Sequence, residues 1–437
     1  MSPSIQQVAS AAKHAARHLA TAPAEQRKKA IHAAASSIEA SENRILAANA
    51  RDLAAARELL QSGEISPATF ERLPLNSHKI KEMAASMRAV AELPDPLSRV
   101  LLRTELDSNL ILEKISCPLG VLAVIFEARP DAVTQISALA LKSGNALILK
   151  PGHEVERTAC ALLELIGDVL SRCGIAQDAI AMVFGRRAVR ELLELHGLID
   201  LVMPRGSKQL VEFVQANTRI PVLGHAEGIC HVYVDKSANL LMASEILDDA
   251  KTDYPAACNA VETALIHQQV AAKFLPMLAI RLRQRGVRLR GCDKTRAILQ
   301  GISIEQVTDD DWRREYADLE LALRVVESMD EAIQHIHRYG SSHTETIVTD
   351  DLTAAEEFLA RVDAAGVFHN ASTRFADGFR YGFGAEVGVS TSKLHARGPV
   401  GLEGLTTYKY LLRGAGQVAR DYRGPHARSF THKSLLS

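Results

Sequence analysis

Cys258 is the residue of this chain whose type and surroundings are best suited to chemistry. It lies in the run Asp253-Tyr-Pro-Ala-Ala-Cys258-Asn259, where small neighbours leave a thiol open to attack and an apolar segment follows. A cysteine thiolate forms covalent intermediates that divide a difficult reaction into two easier steps. The other five cysteines stand singly among aliphatic or basic residues, as small buried hydrophobic groups commonly do. The pattern therefore predicts that Cys258 is a catalytic nucleophile.

The C-terminal third contains a dense set of groups that could bind an anion. Between residues 369 and 401 the chain combines arginine, serine, threonine and many glycines, including Ser372, Thr373 and Arg374. Arginine binds a carboxylate or a phosphate through two parallel hydrogen bonds. A structural loop can carry the same residues, but this richness in hydrogen-bond donors favours a binding role.

Two segments have the features of a nucleotide-binding site. Lys150 follows an apolar run at 146–149, and Gly206 and Ser207 follow another apolar run at 199–203. In an open parallel sheet, ligands bind beyond the carboxyl ends of the strands, and phosphates bind at helix N-termini. A solvated surface lysine and an ordinary serine N-cap remain the alternatives.

Two groups of metal-ligand residue types occur, but neither has the spacing of a metal site. They are His335, His337 and His343, and His225, Cys230 and His231. Neither group contains a helical His-x-x-x-His pair or a Cys-x-x-Cys pair. We therefore expect no metal, and a metal-dependent hydrolase is a less favoured alternative.

Length and composition narrow the class of protein. A chain of 437 residues is long enough for two or three domains with cores of their own. Its formal net charge of −1 argues against a nucleic acid partner, because binding to a polyanion requires clustered, uncompensated Lys and Arg. No segment approaches the roughly 18 apolar residues of a membrane span, and no secretion signal is recognisable. We expect a soluble cytoplasmic protein that does not contact a membrane.

The secondary structure predicted to position the candidate site residues changes from helices alone to alternating strands and helices along the chain. Residues 1–96 are rich in Ala, Glu, Arg and Lys, with Ile and Leu recurring at helical spacing, which predicts amphipathic helices. From residue 121, short apolar runs alternate with helical patterns, which is typical of a parallel α/β sheet. The predicted strands are 121–126, 146–149, 180–184, 199–203 and 231–235, with helices at 131–143, 155–172, 188–196 and 207–217.

A second α/β domain is predicted by further apolar runs at 260–267, 321–326 and 346–349. Residues 97–116 alternate around Asp107-Ser108-Asn109 as a hairpin does, and we expect this hairpin and the tail after residue 405 to pair with a second chain. The expected division is a parallel-sheet domain of 1–96 and 117–235, a catalytic domain of 236–405 that includes the glycine-rich loop 382–388, and an oligomerisation hairpin and tail of 97–116 and 406–437.

Taken together, these segments resemble the aldehyde dehydrogenase superfamily over nearly the whole chain. The resemblance depends most on the run around Cys258 and on residues 369–401, and also on 126–130, 144–151, 312–316 and 340–344. Within the superfamily, the chain is most similar to the reductases that act on L-glutamyl 5-phosphate in proline biosynthesis. The implied fold is α/β, with a parallel-sheet cofactor-binding domain, an α/β catalytic domain and a small oligomerisation hairpin and tail.

The reaction implied by this resemblance begins with attack of Cys258 on the acyl carbon of L-glutamyl 5-phosphate, which releases phosphate and leaves a thioacyl enzyme. NADPH then reduces the thioester to L-glutamate 5-semialdehyde. An NAD(P)-dependent oxidising aldehyde dehydrogenase and a catalytically inactive scaffold remain alternatives. The resemblance also implies a homo-oligomer, either a dimer or a tetramer, and glutamate 5-kinase is a candidate partner.

The resemblance assigns the cofactor contacts residue by residue. Lys150 would bind the adenine ribose, Gly206 and Ser207 the pyrophosphate, and Glu315 the nicotinamide ribose. His225 stands where the superfamily has the glutamate that hydrolyses the thioester, and we also expect His225 to lie beside the cofactor. This replacement fits a reductase, because a reductase must not hydrolyse its thioester. His153 stands where NAD-preferring relatives often place a glutamate, which removes a repulsion against a 2′-phosphate and favours NADP over NAD.

The substrate contacts implied by the resemblance are less complete. Glu127 takes the position of the superfamily's oxyanion-stabilising asparagine, and an ionised carboxylate cannot donate a hydrogen bond. The N–H of Cys258 then needs a supplementary donor, for which Asn259 and Arg129 are candidates. Arg129 and Arg374 are expected to bind the substrate's carboxylate and phosphate, with hydrogen bonds from Ser372 and Thr373.

Overall fold

The computed structural model describes residues 3–224 and 227–436, and the chain divides into two compact units. The first unit contains the chain up to Leu223, the short segment Phe383–Val387 and everything from Val400 onwards. The second unit contains Gly224–Gly382 and Gly388–Pro399. The chain therefore leaves the first unit, forms most of the second, and returns.

The first unit begins with the predicted amphipathic helices and continues with a parallel sheet. The N-terminal helices are Ile5–Leu19, Ala24–Ala40, Glu42–Gln61, Pro67–Glu71 and Ser77–Glu92. The sheet has four strands, in the order Ile180–Met182, Ala146–Pro151, Val121–Phe126 and Leu201–Arg205, all parallel. The helices between and after these strands are Ala132–Lys142, Glu156–Arg172, Arg186–Glu194 and Lys208–Ala216. These elements confirm the predicted alternation of strand and helix, with bounds shifted by a few residues.

A second, antiparallel sheet of the first unit contains the predicted hairpin. Its four strands lie in the order Thr406–Arg413, Leu110–Pro118, Val100–Asp107 and Lys433–Ser434. Asn109 in the turn adopts a φ of 58°, a left-handed conformation that asparagine tolerates better than most residues. The hairpin and the tail thus pair with each other within one chain.

The second unit is built on a parallel sheet of seven strands. Their order is Glu305–Gln306, Arg288–Gly291, Glu320–Val326, Val261–His267, Cys230–Val234, Thr344–Val348 and Gly366–His369. The α-helices of this unit are Leu240–Thr252, Gln268–Gln284, Asp293–Ile298, Met329–Tyr339 and Leu352–Arg361, and a short antiparallel pair joins Val389–Ser390 to Gly398–Pro399. The central strands are fully buried, although they carry polar residues such as His231, Glu262 and Glu345. Of the helices in the described ranges, none has the length and apolar character needed to cross a membrane.

Two of the expected boundaries differ from the structure. The predicted strand at 231–235 was placed with the first sheet, but Cys230–Val234 hydrogen-bonds to Val261–His267 and Thr344–Val348 in the second. Segments 383–387 and 400–405, expected in the catalytic domain, belong to the first unit, where the Val387 N–H donates to the Val400 carbonyl at 2.8 Å. An apolar run predicts a buried strand but carries no information about which sheet receives it. The functional names of the domains remain predictions.

A buried carboxylate joins two helices of the first unit. Asp52, on helix Glu42–Gln61, accepts hydrogen bonds from the Arg157 N–H at 3.2 Å, the Thr158 N–H at 2.8 Å and the Thr158 hydroxyl at 2.7 Å. These donors belong to the first turn of helix Glu156–Arg172, whose N–H groups have no partners within the helix. Asp52 therefore caps this helix from a neighbouring one, and a negative charge there also suits the helix dipole.

Replacing Asp52 with alanine should lower the free energy of unfolding by about 2 kcal/mol, because buried donors at a helix N-terminus lose their acceptor. Calorimetric unfolding of the purified variant measures this change. Asp52→Asn, which keeps one acceptor oxygen, should lose only about 1 kcal/mol. Identical unfolding of both variants and the unchanged protein would contradict the assigned role.

Candidate active site

Cys258 lies in a short segment of tight turns between a helix and a central strand of the second unit. Helix Leu240–Thr252 ends before it, and strand Val261–His267 begins after it. The Ala257 N–H donates to the Tyr254 carbonyl at 3.1 Å, and the Ala260 N–H donates to the Ala257 carbonyl at 2.9 Å. The Cys258 residue is partly exposed, and its role as a nucleophile stays a prediction.

The backbone of Gly228 packs directly against the backbone of Cys258. A Cβ atom built on Gly228 would overlap the Cys258 Cα and carbonyl group, so no other residue fits there without a shift of the main chain. This close approach fixes the Cys258 backbone from the side of the neighbouring strand. His225, three residues before Gly228, lies outside the described residues, so its expected role beside the cofactor stays a prediction.

A second cysteine supports the Cys258 segment from inside the sheet. The Cys230 thiol lies 3.3 Å from the Cys258 carbonyl oxygen, to which it can donate a hydrogen bond. Burial, together with nearby Glu345 and Cys258, raises the pKa of the Cys230 thiol well above its usual value. Cys230 therefore remains a neutral thiol, and it is a supporting residue that the sequence did not reveal. A cysteine at the start of an apolar strand gives no signal that distinguishes it from a core residue.

The predicted anion-binding segment is joined to the Cys258 segment by Asn259 and Arg374. The Asn259 side chain donates to the Ala376 carbonyl at 3.0 Å and to the Arg374 carbonyl at 3.4 Å, and it accepts a bond from the Arg374 guanidinium. Arg374 also donates to Asp253 at 3.1 Å, as does Arg380. The structure thus brings together two segments that are more than a hundred residues apart in the sequence.

The contacts and burial of Asn259, Ser372 and Thr373 bear on the roles predicted for them. Both amide hydrogens of Asn259 have carbonyl acceptors, so its described contacts hold the 374–376 loop, and its suggested part as an oxyanion donor gains no support. Ser372 caps the short helix Thr373–Phe375 by accepting from the Arg374 N–H at 3.3 Å, and Thr373 is fully buried. The expectation that Ser372, Thr373 and Arg374 contact substrate stays a prediction.

Glu315, the residue expected to hold the nicotinamide ribose, lies in another loop of the second unit. This loop joins the short helix Asp311–Arg313 to strand Glu320–Val326. Glu315 is partly buried, two residues before Ala317, whose φ of 51° is unusual for a residue with a side chain. The contact of Glu315 with the nicotinamide ribose stays a prediction.

In the first unit, Lys150 and His153 lie at the carboxyl end of a parallel strand, as predicted. Lys150 is half-buried near the end of strand Ala146–Pro151, and His153 begins the short helix His153–Val155. His153 also lines a cleft of about 630 Å³ between helices Glu42–Gln61 and Glu156–Arg172. The ionisable residues that share the cleft with His153 include Arg44, Arg51, Arg157, Glu156 and Glu164. Arg44 pairs with Glu164 and Arg157 with Asp52, so among the described residues Arg51 is the arginine of the cleft whose charge is left for an anionic ligand.

Gly206 and Ser207 precede helix Lys208–Ala216, but a carboxylate already lies at its N-terminus. Glu127 accepts a hydrogen bond from the Ser207 N–H at 2.9 Å, and a Cβ atom on Gly206 would overlap the Glu127 carboxylate. The structure therefore brings together a residue expected at the substrate and two expected at the pyrophosphate. A pyrophosphate at this N–H would have to displace Glu127, because two anions compete for one donor. A contact of Glu127 with substrate stays a prediction.

Arg129 lies in the turn that follows strand Val121–Phe126. The preceding residue, Ala128, has a φ of 49°, and its N–H donates to the buried Glu154 carboxylate at 2.6 Å. This bond fixes the turn that carries Arg129. Arg129 belongs to the first unit and Arg374 to the second, so their expected cooperation at the substrate remains a prediction.

Across residues 3–224 and 227–436, no group of three or more His, Cys, Asp and Glu side chains is arranged to hold a metal ion. The buried His231 pairs instead with Glu345, at 2.9 Å, and His335 contacts Arg324 at 2.7 Å. One helical His-x-x-x-His pair occurs elsewhere, at His14 and His18, whose ring nitrogens are 3.1 Å apart.

The chain is similar to proteins of known family over almost its full length. Residues 2–294 match the model of the aldehyde dehydrogenase family. A gamma-glutamyl phosphate reductase of Synechococcus sp. strain JA-2-3B'a(2-13) is 52% identical over 98% of this chain and 93% of its own length. The protein of the same name from Acaryochloris marina is 50% identical over 99% of both chains.

Solved structures give the same result for the fold. The crystal structure of gamma-glutamyl phosphate reductase from Thermotoga maritima covers 95% of this chain and 100% of its own, with 37% identity and a TM-score of 0.91. An acetylating aldehyde dehydrogenase from Geobacillus thermoglucosidasius, at 17% identity and a TM-score of 0.67, shares the fold alone. The chain therefore belongs to the aldehyde dehydrogenase family and, within it, to the gamma-glutamyl phosphate reductases.

Proposed function

We propose that this protein reduces L-glutamyl 5-phosphate to L-glutamate 5-semialdehyde and phosphate, as the names of its relatives imply, and that it acts in proline biosynthesis. The observation that carries the proposal is the partly exposed Cys258 in a segment whose backbone packs against Gly228. A nucleophile held in this way can form a thioester with little loss of conformational freedom at the moment of attack.

In the proposed reaction the Cys258 thiolate attacks the acyl carbon, a carbon–sulfur bond forms, and the carbon–oxygen bond to phosphate breaks. The departing phosphate takes up one proton. Bound NADPH supplies the hydride that reduces the thioester. The Cys258 sulfur then leaves as a thiolate and releases the aldehyde. Within the described residues the Cys258 N–H has no hydrogen-bond partner, so it is available to a developing oxyanion.

The preference for NADPH over NADH is supported by the cleft beside His153. Three arginines line it, Arg44 and Arg51 on one of the helices that form its walls and Arg157 on the other, and among the described residues Arg51 is the one without an ion pair. Arginine pairs readily with phosphate, and the neutral or cationic His153 adds no repulsion. We assign the ribose 2′-phosphate to this cleft, with Lys150 at the ribose and Glu315 at the nicotinamide ribose.

The four-stranded antiparallel sheet is the proposed surface for self-association into a dimer or tetramer. Large apolar side chains are exposed along two of its strands, namely Val100, Leu101 and Leu102 on one and Tyr408, Tyr410 and Leu412 on the other. Exposed apolar patches of this kind commonly mark protein interfaces. Association with glutamate 5-kinase remains a prediction.

The reaction should run in reverse only with phosphate. Purified protein given glutamate semialdehyde and NADP should form NADPH when phosphate is present and should be nearly inactive without phosphate. Phosphate is needed because it attacks the thioester and releases the acyl group from Cys258 as the acyl phosphate. NADPH absorbance measures the rate. Comparable turnover in phosphate-free buffer would instead indicate an aldehyde dehydrogenase that hydrolyses its thioester.

Cys258→Ser should reduce this activity by roughly 10³-fold or more, because a hydroxyl is a much weaker nucleophile than a thiolate. The same assay measures the loss, and calorimetric unfolding checks that the fold is intact. Cys173→Ser is the matched control, since Cys173 is also a partly exposed free cysteine, and it should keep the original rate. Substantial activity in the Cys258 variant would rule out the covalent mechanism.

His153→Glu should raise the KM for NADPH by about tenfold or more while changing the KM for NADH much less. A carboxylate about 4 Å from a phosphate opposes binding by roughly 1–4 kcal/mol near a protein surface. Steady-state kinetics with both cofactors measure the effect, and the neutral His153→Gln is the control. An equal change for NADPH and NADH would show that His153 does not lie near the 2′-phosphate.

A further inference from the structure

A buried ion pair in the second unit lies beside the Cys258 segment and contacts the loop of Glu315. The Lys251 ammonium donates to the Glu262 carboxylate at 2.7 Å. The two side chains are 0% and 1% exposed. Neither residue has a part in the proposed reaction.

The ion pair joins the two ends of the segment that carries Cys258. Lys251 lies in the last turn of helix Leu240–Thr252, just before the segment, and Glu262 is the second residue of strand Val261–His267, just after it. Their side chains therefore tie the end of the helix to the start of the strand.

The same two side chains also hold the loop that carries Glu315. The Lys251 ammonium donates a second bond to the Asp318 carbonyl at 3.2 Å. The other Glu262 oxygen accepts from the Ala317 N–H at 3.4 Å, and Ala317 is the residue with the left-handed backbone. A residue with a Cβ atom keeps such a conformation only where its surroundings impose it.

Electrostatics connects Glu315 itself to the pair. Burial raises the pKa of Glu262 to about 7, Lys251 opposes this rise, and the negative charge of Glu315 adds to it. The two carboxyl groups are thus close enough to influence each other. Movement of the loop would change both the position and the surroundings of Glu315.

A contribution to stability alone does not account for this pair. Removing two charges from water costs about as much as their attraction returns, so a buried ion pair is often no more stabilising than apolar side chains of the same size. Directional bonds to fixed backbone atoms are what such a pair provides and apolar side chains do not.

We propose that Lys251 and Glu262 are positioning residues that set the Cys258 segment and the Glu315 loop in one fixed relation. This inference rests on the proposed function, because the assignment of the nicotinamide ribose to Glu315 is part of it. The pair acts through Glu315 and the Cys258 backbone, and it does not touch the reacting atoms.

The test compares two double variants, Lys251→Met with Glu262→Gln and Lys251→Met with Glu262→Leu. Both remove the buried charges, so neither leaves an unpaired ion in the core. The glutamine can still accept from the Ala317 N–H, whereas the leucine cannot. Single variants are unsuitable, since one unpaired buried charge is strongly destabilising.

We expect both double variants to fold with similar thermal unfolding, and the leucine variant to differ in its loop. Amide hydrogen exchange of residues 314–319 should be about tenfold faster in the leucine variant than in the glutamine variant. The kcat/KM for NADPH should be about tenfold lower in the leucine variant, because misplaced contacts to a cofactor slow the reaction by such factors.

Equal exchange and equal kcat/KM in the two variants would overturn the inference and leave the pair a purely structural feature. The exchange measurement needs no catalysis, so the two ideas can fail separately. If the unchanged protein lacks phosphate-dependent activity, the proposed function is wrong, while faster exchange in the leucine variant would still support the loop contact.

Discussion

The parallel pairing of strands Cys230–Val234 and Val261–His267 determines where Cys258 stands. Their register shifts at the first residue, since Cys230 lies opposite Val261 but His231 lies opposite Thr263. At this irregularity the chain before the strand crosses close to the Cys258 segment. Gly228 packs against the Cys258 backbone there, and the Cys230 thiol donates a hydrogen bond to the Cys258 carbonyl oxygen. The main chain of Cys258 is thus fixed from one side, and the residue remains partly exposed.

Charged groups fix the same segment from the other side. Asp253, at the end of the preceding helix, binds both Arg374 and Arg380, and the Arg380 hydrogen bond is the main reason that the pKa of Asp253 is lowered. Asn259 joins the same group through Arg374. The loop that carries Ser372 and Thr373 therefore has a defined place beside the nucleophile. Preorganisation of this kind is what allows electrostatic contacts to favour a transition state.

The sequence predicted local features well and long-range contacts poorly. Strand Val121–Phe126 has the predicted bounds, because a fully buried strand is a continuous apolar run, and the hairpin turns at Asn109 as its alternation indicated. The sheet that contains Cys230–Val234 was predicted wrongly, since hydrogen-bond partners leave no trace in a local pattern. Contacts such as Glu127 with Ser207, or Lys251 with Asp318, depend on where separate loops meet. Cys258 could be proposed from the sequence because its small neighbours and the strand that follows are local features, and its catalytic role stays a prediction.

The tail strand Thr406–Arg413 has a consequence for the order in which the chain can fold during synthesis. It pairs with Leu110–Pro118, about 300 residues earlier, and so the four-stranded sheet must wait for almost the whole chain to leave the ribosome. The second unit is nearly continuous in sequence and can collapse before then. Until the tail arrives, the strand Leu110–Pro118 has an unpaired edge, which is a feature that promotes aggregation of nascent chains.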